Sequence, residues 1–319
     1  MADPKLRMII PSDPNWSFLF SNLTEADYAV WATATVYAVG DRRIITNLPR
    51  PGVGVYHWIV ECVQAHTSSS GADRPDHDID AASGAGTYWV RVSYTNRWKA
   101  MDGIVNDRSI NPSGAVTNWF TVISPATSVV FLNAKANTAE VRIYDGASDV
   151  IVQTQSLIET SGIVDWWSYF YLPTTYKSAA VFPQTPAYTG QVIKTSVSGL
   201  TQNELGEVLF GIDYEIGDAS FPIDVAITDY STKDRDPYGN PYITTRPYAK
   251  SRTFTCQILT QDSDRIDTLL SSVHTTPVIF YISDAPTGFS ALIYGLFKDY
   301  QIKQDYVASN VTLQIEGMI

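Results

Sequence analysis

Four rings, Trp31, Tyr37, Trp58 and Trp89, recur in the first third of the chain. They follow the order W…Y-x-x-G-D…E-C…Y-W, with Gly40-Asp41, Glu61-Cys62 and Tyr88 as the other fixed points. Flat rings held on a short sheet can stack on the apolar face of a pyranose. The same rings can instead fill the core of a module too small to build one otherwise. The spacing is compatible with either use.

Other residue types with chemical potential are scattered. Asp165 stands beside Trp166 and Trp167, an acid next to a ring platform, as in a glycosidase. Glycoside hydrolysis needs two carboxylates at a set separation, which the linear sequence does not display. Asp76, Asp78 and Asp80 alternate, as do Asp234 and Asp236 ahead of Gly239 and Asn240. Calcium takes several oxygens from one loop, but the first set lacks a closing bidentate Glu and Pro237 interrupts the second, so both read as solvated turns. His57, His66, His77 and His274 are far apart. His274 falls at the end of an expected helix, where its partial positive charge complements the dipole. No GxSxG elbow, HExxH pair or phosphate-binding glycine loop occurs. Neither an enzyme activity, a cofactor nor a metal is expected.

The elements that position these residues are mostly strands. Ile223, Val225 and Ile227 alternate with polar or small residues, as do Phe254, Cys256 and Ile258, and Val311, Leu313 and Ile315. Period-2 patterns predict half-buried strands. Glu140–Tyr144 and Val150–Gln155 flank Asp145-Gly146-Ala147-Ser148 as a hairpin. Val278–Ile282 is a continuous apolar run, as in a strand buried on both faces. Ile266, Leu269, Leu270 and Val273 predict one helix, capped by Asp262 or Ser263, and Thr24–Trp31 is a weaker helical candidate with Glu25 near its start. Turn-rich stretches at 68–86, 109–114 and 183–190 punctuate the chain. The expected organisation is an N-terminal arm (1–29), an aromatic module (30–95), a β-sandwich (96–190) and a second β-sandwich with one packed helix (191–319).

The bulk composition narrows the function. With 319 residues, 45% hydrophobic and 17% charged, the chain has the means for packed cores. A net charge of −11 without a Lys/Arg cluster argues against nucleic acid as a partner. No charged-then-apolar leader and no apolar run of membrane-spanning length are visible, so a soluble location is expected. Cys62 and Cys256 lie apart, outside any CxxC pair, and Cys256 sits in an alternating strand as a buried free thiol.

Residues 30–92 resemble the small chitin-binding-type carbohydrate modules of chitinases, through Trp31, Tyr37, Gly40, Asp41, Pro75 and Trp89. Arg43 and Val60 depart from that pattern, and Val60 replaces a ring. Around the module stand Ser21–Tyr28 (SNLTEADY), Thr95–Asp102 (TNRWKAMD), Asp229–Asp234 (DYSTKD), Tyr294–Tyr300 (YGLFKDY) and Leu313–Gly317 (LQIEG). Taken in order, these segments resemble a family of tail-associated virion proteins of long-tailed bacteriophages that carry a carbohydrate-binding domain. Within the mainly β fold, the C-terminal third, with its alternating strands and one helix, is also similar in outline to the tail-tube-like β-sandwich of distal tail proteins. The family resemblance implies a structural role in the distal tail or baseplate. It further implies self-assembly into a ring, hexameric or trimeric, that contacts the tail tube, baseplate hub and tail fibre proteins. A virion location after synthesis in the host bacterial cytoplasm follows. Recognition of a host surface polysaccharide, or glycan, through Trp31, Tyr37, Trp58 and Trp89 is the alternative role.

Overall fold

A computed structural model describes residues 4–11, 16–50, 54–80, 82–160, 162–235, 238–246, 248–283 and 291–318. The chain is mainly β and divides into two compact units, one made of Met1–Ser12 with Phe210–Ile319, the other of Asp13–Leu209.

In the first unit, strands Lys5–Pro11, Val278–Ser283, Ile293–Lys303, Ala308–Gly317, Tyr248–Leu259 and the long strand Glu207–Asp229 pair in that order. The last also pairs back to Lys5–Pro11, so the antiparallel sheet closes on itself as a six-stranded barrel. Closure removes the free edges that would otherwise invite aggregation. The alternation read from the sequence points Phe254, Cys256 and Ile258, and Val311, Leu313 and Ile315, into the core with Leu6, Met8 and Phe280. All residues of Val278–Ile282 are buried, as the apolar run predicts. The helix Ser263–Ser272 adds Ile266, Leu270 and the following Val273 to that core. Its cap is of a different kind from that expected: Asp262 makes no side-chain cap bond, and the Ser263 hydroxyl donates to the Thr260 carbonyl (2.8 Å). Gly295 is required by close approach, because a Cβ there would sit 2.0 Å from the Glu316 carbonyl oxygen.

In the second unit, a five-stranded antiparallel sheet runs Asp149–Ser156, Thr138–Tyr144, Val192–Ser198, Val116–Val122, Trp16–Ser21. Its alternating residues Val116, Phe120 and Val122, Ala139, Val141 and Ile143, and Ile193 and Val197 are buried. The expected hairpin is present. Gly146 takes φ +102°, and Asp145 Oδ1 accepts from the amides of Ala147 and Ser148. Ser128–Leu132, buried throughout, pairs with Ala180–Phe182. The amides of Gln153 and Gln155 bond the carbonyls of Pro183 and Val181, joining that pair to the edge of the larger sheet.

This division departs from the four expected segments. Lys5–Pro11 is a barrel strand and no arm, while Trp16–Ser21 and Val192–Ser198 belong to the five-stranded sheet. Antiparallel pairing between strands distant in sequence leaves no local signal, so boundaries set by turn-rich stretches miss it. The helix expected at Thr24–Trp31 is absent as well. That segment lies along the aromatic module, with Trp31 N donating to the Ile44 carbonyl (2.9 Å) and Ile44 N to that of Ala29 (3.0 Å). Its acids serve neighbours: Glu25 bonds His57 and Thr95, and Asp27 accepts from the Asn96 amide. These bonds replace the ladder a helix would have made.

Both cysteines are buried and free. Burial, and then the negative charge of Asp218, push the Cys256 thiol up to about 12. Burial also raises Cys62, against a hydrogen bond to the Gln64 carbonyl. Since the thiolate is the reactive form, native protein at pH 8 is expected to resist a thiol-titrating disulfide reagent. Denaturant should then release two thiols per chain, and fast labelling before denaturation would contradict the burial of Cys256 in the barrel or of Cys62 at the end of its strand, Gly54–Cys62.

Candidate functional site

The aromatic segment folds as a three-stranded antiparallel sheet of Arg42–Arg50, Gly54–Cys62 and Trp89–Tyr94, beside a small ribbon of Val36–Tyr37 and His66–Thr67. Gly40, at φ +90°, makes the turn the sequence predicts. Asp41 Oδ2 accepts from Ala38 N, while the Gly40 and Cys62 amides cross-bond the two strands. The closing strand is pinned by Asp78, whose carboxylate accepts from the amides of Thr87 (2.9 Å), Tyr88 and Trp89 (both 2.8 Å).

The four candidate rings share this module but do not form a platform. Trp89 is fully buried, edge-on to Tyr37 at 5.0 Å, and its Nε1 donates to the Asp73 carbonyl (2.9 Å). Tyr37 is buried too, its hydroxyl donating to the Ala32 carbonyl and accepting from the Ala32 amide. Trp58 is 9% exposed, stacked on Tyr94 at 3.8 Å, with the Arg91 guanidinium 4.9 Å from its ring centre. A ring without an open face cannot stack on a sugar, so Tyr37, Trp58 and Trp89 are core residues. Only Trp31 is half-exposed, with Arg74 over its ring at 5.7 Å. The physical reason is size: a sheet of three short strands has few other side chains to bury.

The acids of the first set are likewise spoken for. Besides Asp78, Asp76 pairs with Arg74 (2.6 Å), and Asp80 accepts from the Ala82 and Ser83 amides. Asp236 and Pro237 lie outside the described residues. Among the described residues no cluster of His, Cys, Asp and Glu has the grouping of a metal site. Asp165 is a helix N-cap: it accepts from Ser168 N (2.7 Å), while the Ser168 hydroxyl serves the Asp165 amide in return. Those hydrogen bonds hold its carboxyl below the usual range, the opposite of what a general acid requires. His57 bonds Glu25, His66 lies among Tyr37, Tyr88 and Trp89, His77 bonds the Gly71 carbonyl, and His274 that of Ser271. Burial pushes the Glu25 carboxyl up, but bonds from His57 and Thr95 outweigh it and hold the group low.

Two exposed apolar features stand out instead, one in each unit. In the barrel unit, the long strand continues past the point where Lys5–Pro11 pairs with it. After an irregularity between Ser220 and Asp224, residues Asp224–Asp229 pair, among the described residues, only with Tyr248–Thr253. Beyond them lies a ribbon of Thr232–Arg235 and Pro241–Thr244. Val225 and Ile227 are 59% and 63% exposed, and Tyr230, Tyr242, Ile243 and Tyr248 are exposed too. Here the alternating pattern gives the strand but not the burial, because nothing in the described chain covers its apolar row. In the second unit, a helix missing from the sequence reading, Trp166–Tyr171, carries exposed rings on nearly every position. Its signal was present as the run Trp166-Trp167-Ser168-Tyr169-Phe170-Tyr171, whose rings follow no amphipathic period.

No protein-family model and no curated protein matches this chain. Among solved structures, it is similar to a fucolectin from the serum of the striped bass, Morone saxatilis. The identity is 12% and the TM-score 0.25, over 70% of this chain and 91% of that one. No helix among the described residues is long and apolar enough to cross a membrane.

Proposed function

We propose that this chain is a non-catalytic structural component of a bacteriophage tail tip or baseplate, and that it acts by associating with further copies of itself. The observation that carries the reading is the projecting arm, Asp224–Asp229 with Tyr248–Thr253. The outer edge of Asp224–Asp229 has no strand partner among the described residues, and Val225, Ile227 and Tyr248 lie in solvent on one face, opposite Arg252, Lys250 and Asp229. Natural sheets blunt such edges unless they are used. A second barrel docked on the arm satisfies both the backbone groups and the side chains. Repeated head to tail, such a contact closes into a ring when its rotation allows. The phage assignment rests on the ordered motifs. Two of them, Tyr294–Tyr300 and Leu313–Gly317, lie in adjacent barrel strands, and a third, Asp229–Asp234, begins the arm's tip.

Sedimentation of the full chain is expected to show a discrete oligomer. Val225→Lys with Ile227→Lys should convert it to monomer while leaving the barrel's melting temperature within a few degrees. A wild-type chain that stays monomeric at high micromolar concentration would refute self-association. For the particle assignment, a gold label at the C-terminus should mark the distal end of tails in electron micrographs. Label on capsids, or on no particle, would overturn it.

A further inference from the structure

We propose that the aromatic tip of the second unit, residues 162–172, inserts into the interfacial region of a lipid bilayer. The tip stands on a narrow stem. Ile158–Glu159 pairs with Thr175–Tyr176, Leu157 N donates to the Asn137 carbonyl, and Lys177 N donates to that of Leu157. Above the stem, Val164 is 84% exposed, Trp166 78%, Phe170 69% and Tyr171 73%, and Trp167, Tyr169 and Leu172 are exposed as well. Only Ser168 is buried, inside the capping box that starts the helix.

The arrangement discriminates between possible occupants. Trp166 lies parallel to Phe170, and Trp167 to Tyr171, so rings flank the helix on more than one side. A partner protein ordinarily covers one stripe of a helix, whereas a helix apolar all round requires a medium that surrounds it. Trp and Tyr are the residues that favour the membrane interface, with an apolar ring body and a polar edge that stays wet. A sugar site would need hydroxyl-binding side chains among the rings. In Trp166–Tyr171 the only candidates besides the ring edges are Ser168, which is committed to the cap, and Asp165 just before it, equally committed. No Lys or Arg occurs between residues 143 and 176, while Glu159 and Asp165 are acidic, so the charge fits a zwitterionic surface rather than an anionic one. The helix is far too short to span; it can only seat at the surface, as an interfacial anchor does.

The full chain should therefore float with phosphatidylcholine vesicles on a density gradient, and its tryptophan emission should be quenched by brominated acyl chains. Trp166→Ser with Trp167→Ser and Phe170→Ser should weaken partition by at least about 30-fold, with a melting temperature close to wild type because the replaced rings are exposed. Phosphatidylglycerol vesicles should bind no better than phosphatidylcholine at low salt. The proposal is overturned if wild-type protein stays at the bottom of the gradient without quenching, if the triple variant floats equally well, or if binding requires anionic lipid. A wild-type dimer that the triple variant dissolves, with no flotation, would assign the tip to a second copy and overturn it too. That last outcome would also move self-association from the arm to the tip, whereas the flotation and quenching results do not bear on the arm, whose variants are separate.

Discussion

Trp89→Ala is expected to be among the most destabilising single changes in the second unit, at about 3–5 kcal/mol. The ring is fully buried, packed on Tyr37 at 5.0 Å and His66 at 5.4 Å. Truncation removes that packing and also the Nε1 bond to the Asp73 carbonyl, which fixes the loop leading to Asp78. Asp78 in turn accepts from the Trp89 amide itself, so the ring and the closing strand are held by one connected set of bonds. A unit of this size loses roughly 2–4 °C of melting temperature per kcal/mol, and the shift should be plain in a thermal melt followed by near-ultraviolet circular dichroism. Trp89→Phe keeps most of the ring volume and loses the indole bond, so it should cost about 1–2 kcal/mol. If Trp89 were instead a sugar platform, its alanine variant would fold normally and lose only binding. An unshifted melt would therefore reject the core assignment and restore the platform.

The same residue illustrates how far the sequence could be read. The pattern of Trp31, Tyr37, Gly40-Asp41, Trp58 and Trp89 located a module and its turn, since Gly40 has the positive φ such a turn needs. It could not decide whether the rings face inward, because ring type is the same for a core and for a platform. Strand identity was legible wherever period 2 held, at 223–228, 253–258 and 311–316. Which face is covered was not: Phe254 is buried and Val225 is exposed, though both sit in equally regular alternation. Burial depends on what packs against the strand, and that partner comes from elsewhere in the chain or from outside it. Barrel closure was illegible for a related reason, since Lys5–Pro11 pairs with residues two hundred or more positions away. The short helix after Asp165 was hidden by its lack of an apolar stripe, although Asp165 and Ser168 stand three apart as a cap pair does.

The second large effect concerns that closure. Asp213 lies on the long strand, and its carboxylate accepts from Arg7 Nε (3.0 Å) and from the Tyr281 hydroxyl (2.7 Å). Arg7 belongs to the closing strand and Tyr281 to the strand on its far side, so one acid stitches three neighbours together. The Asp213 side chain is 6% exposed and that of Arg7 26%. Asp213→Ala leaves the Tyr281 hydroxyl without this acceptor and the Arg7 guanidinium with Glu215 alone (3.3 Å), and the cost should be about 2–3 kcal/mol by chemical denaturation. Replacing both members, as Arg7→Met with Asp213→Leu, should cost less than the single change, because no half-paired guanidinium remains and Glu215 keeps Lys5. Tyr281 adds a pH signature. Burial, then the hydrogen bond and negative charge of Asp213, push its hydroxyl above the ordinary value of 10. A folded-state pKa raised above the unfolded one means that, above about pH 10, the unfolded chain has released a proton the folded chain still holds. Stability from this group is thus complete below pH 10 and falls as pH rises past it. Tyr281→Phe should flatten that alkaline decline relative to wild type, which isolates the one residue from the many other tyrosines. A wild-type and an Asp213→Ala chain of equal stability, or alkaline curves that superimpose, would show that the acid does not hold the barrel closed.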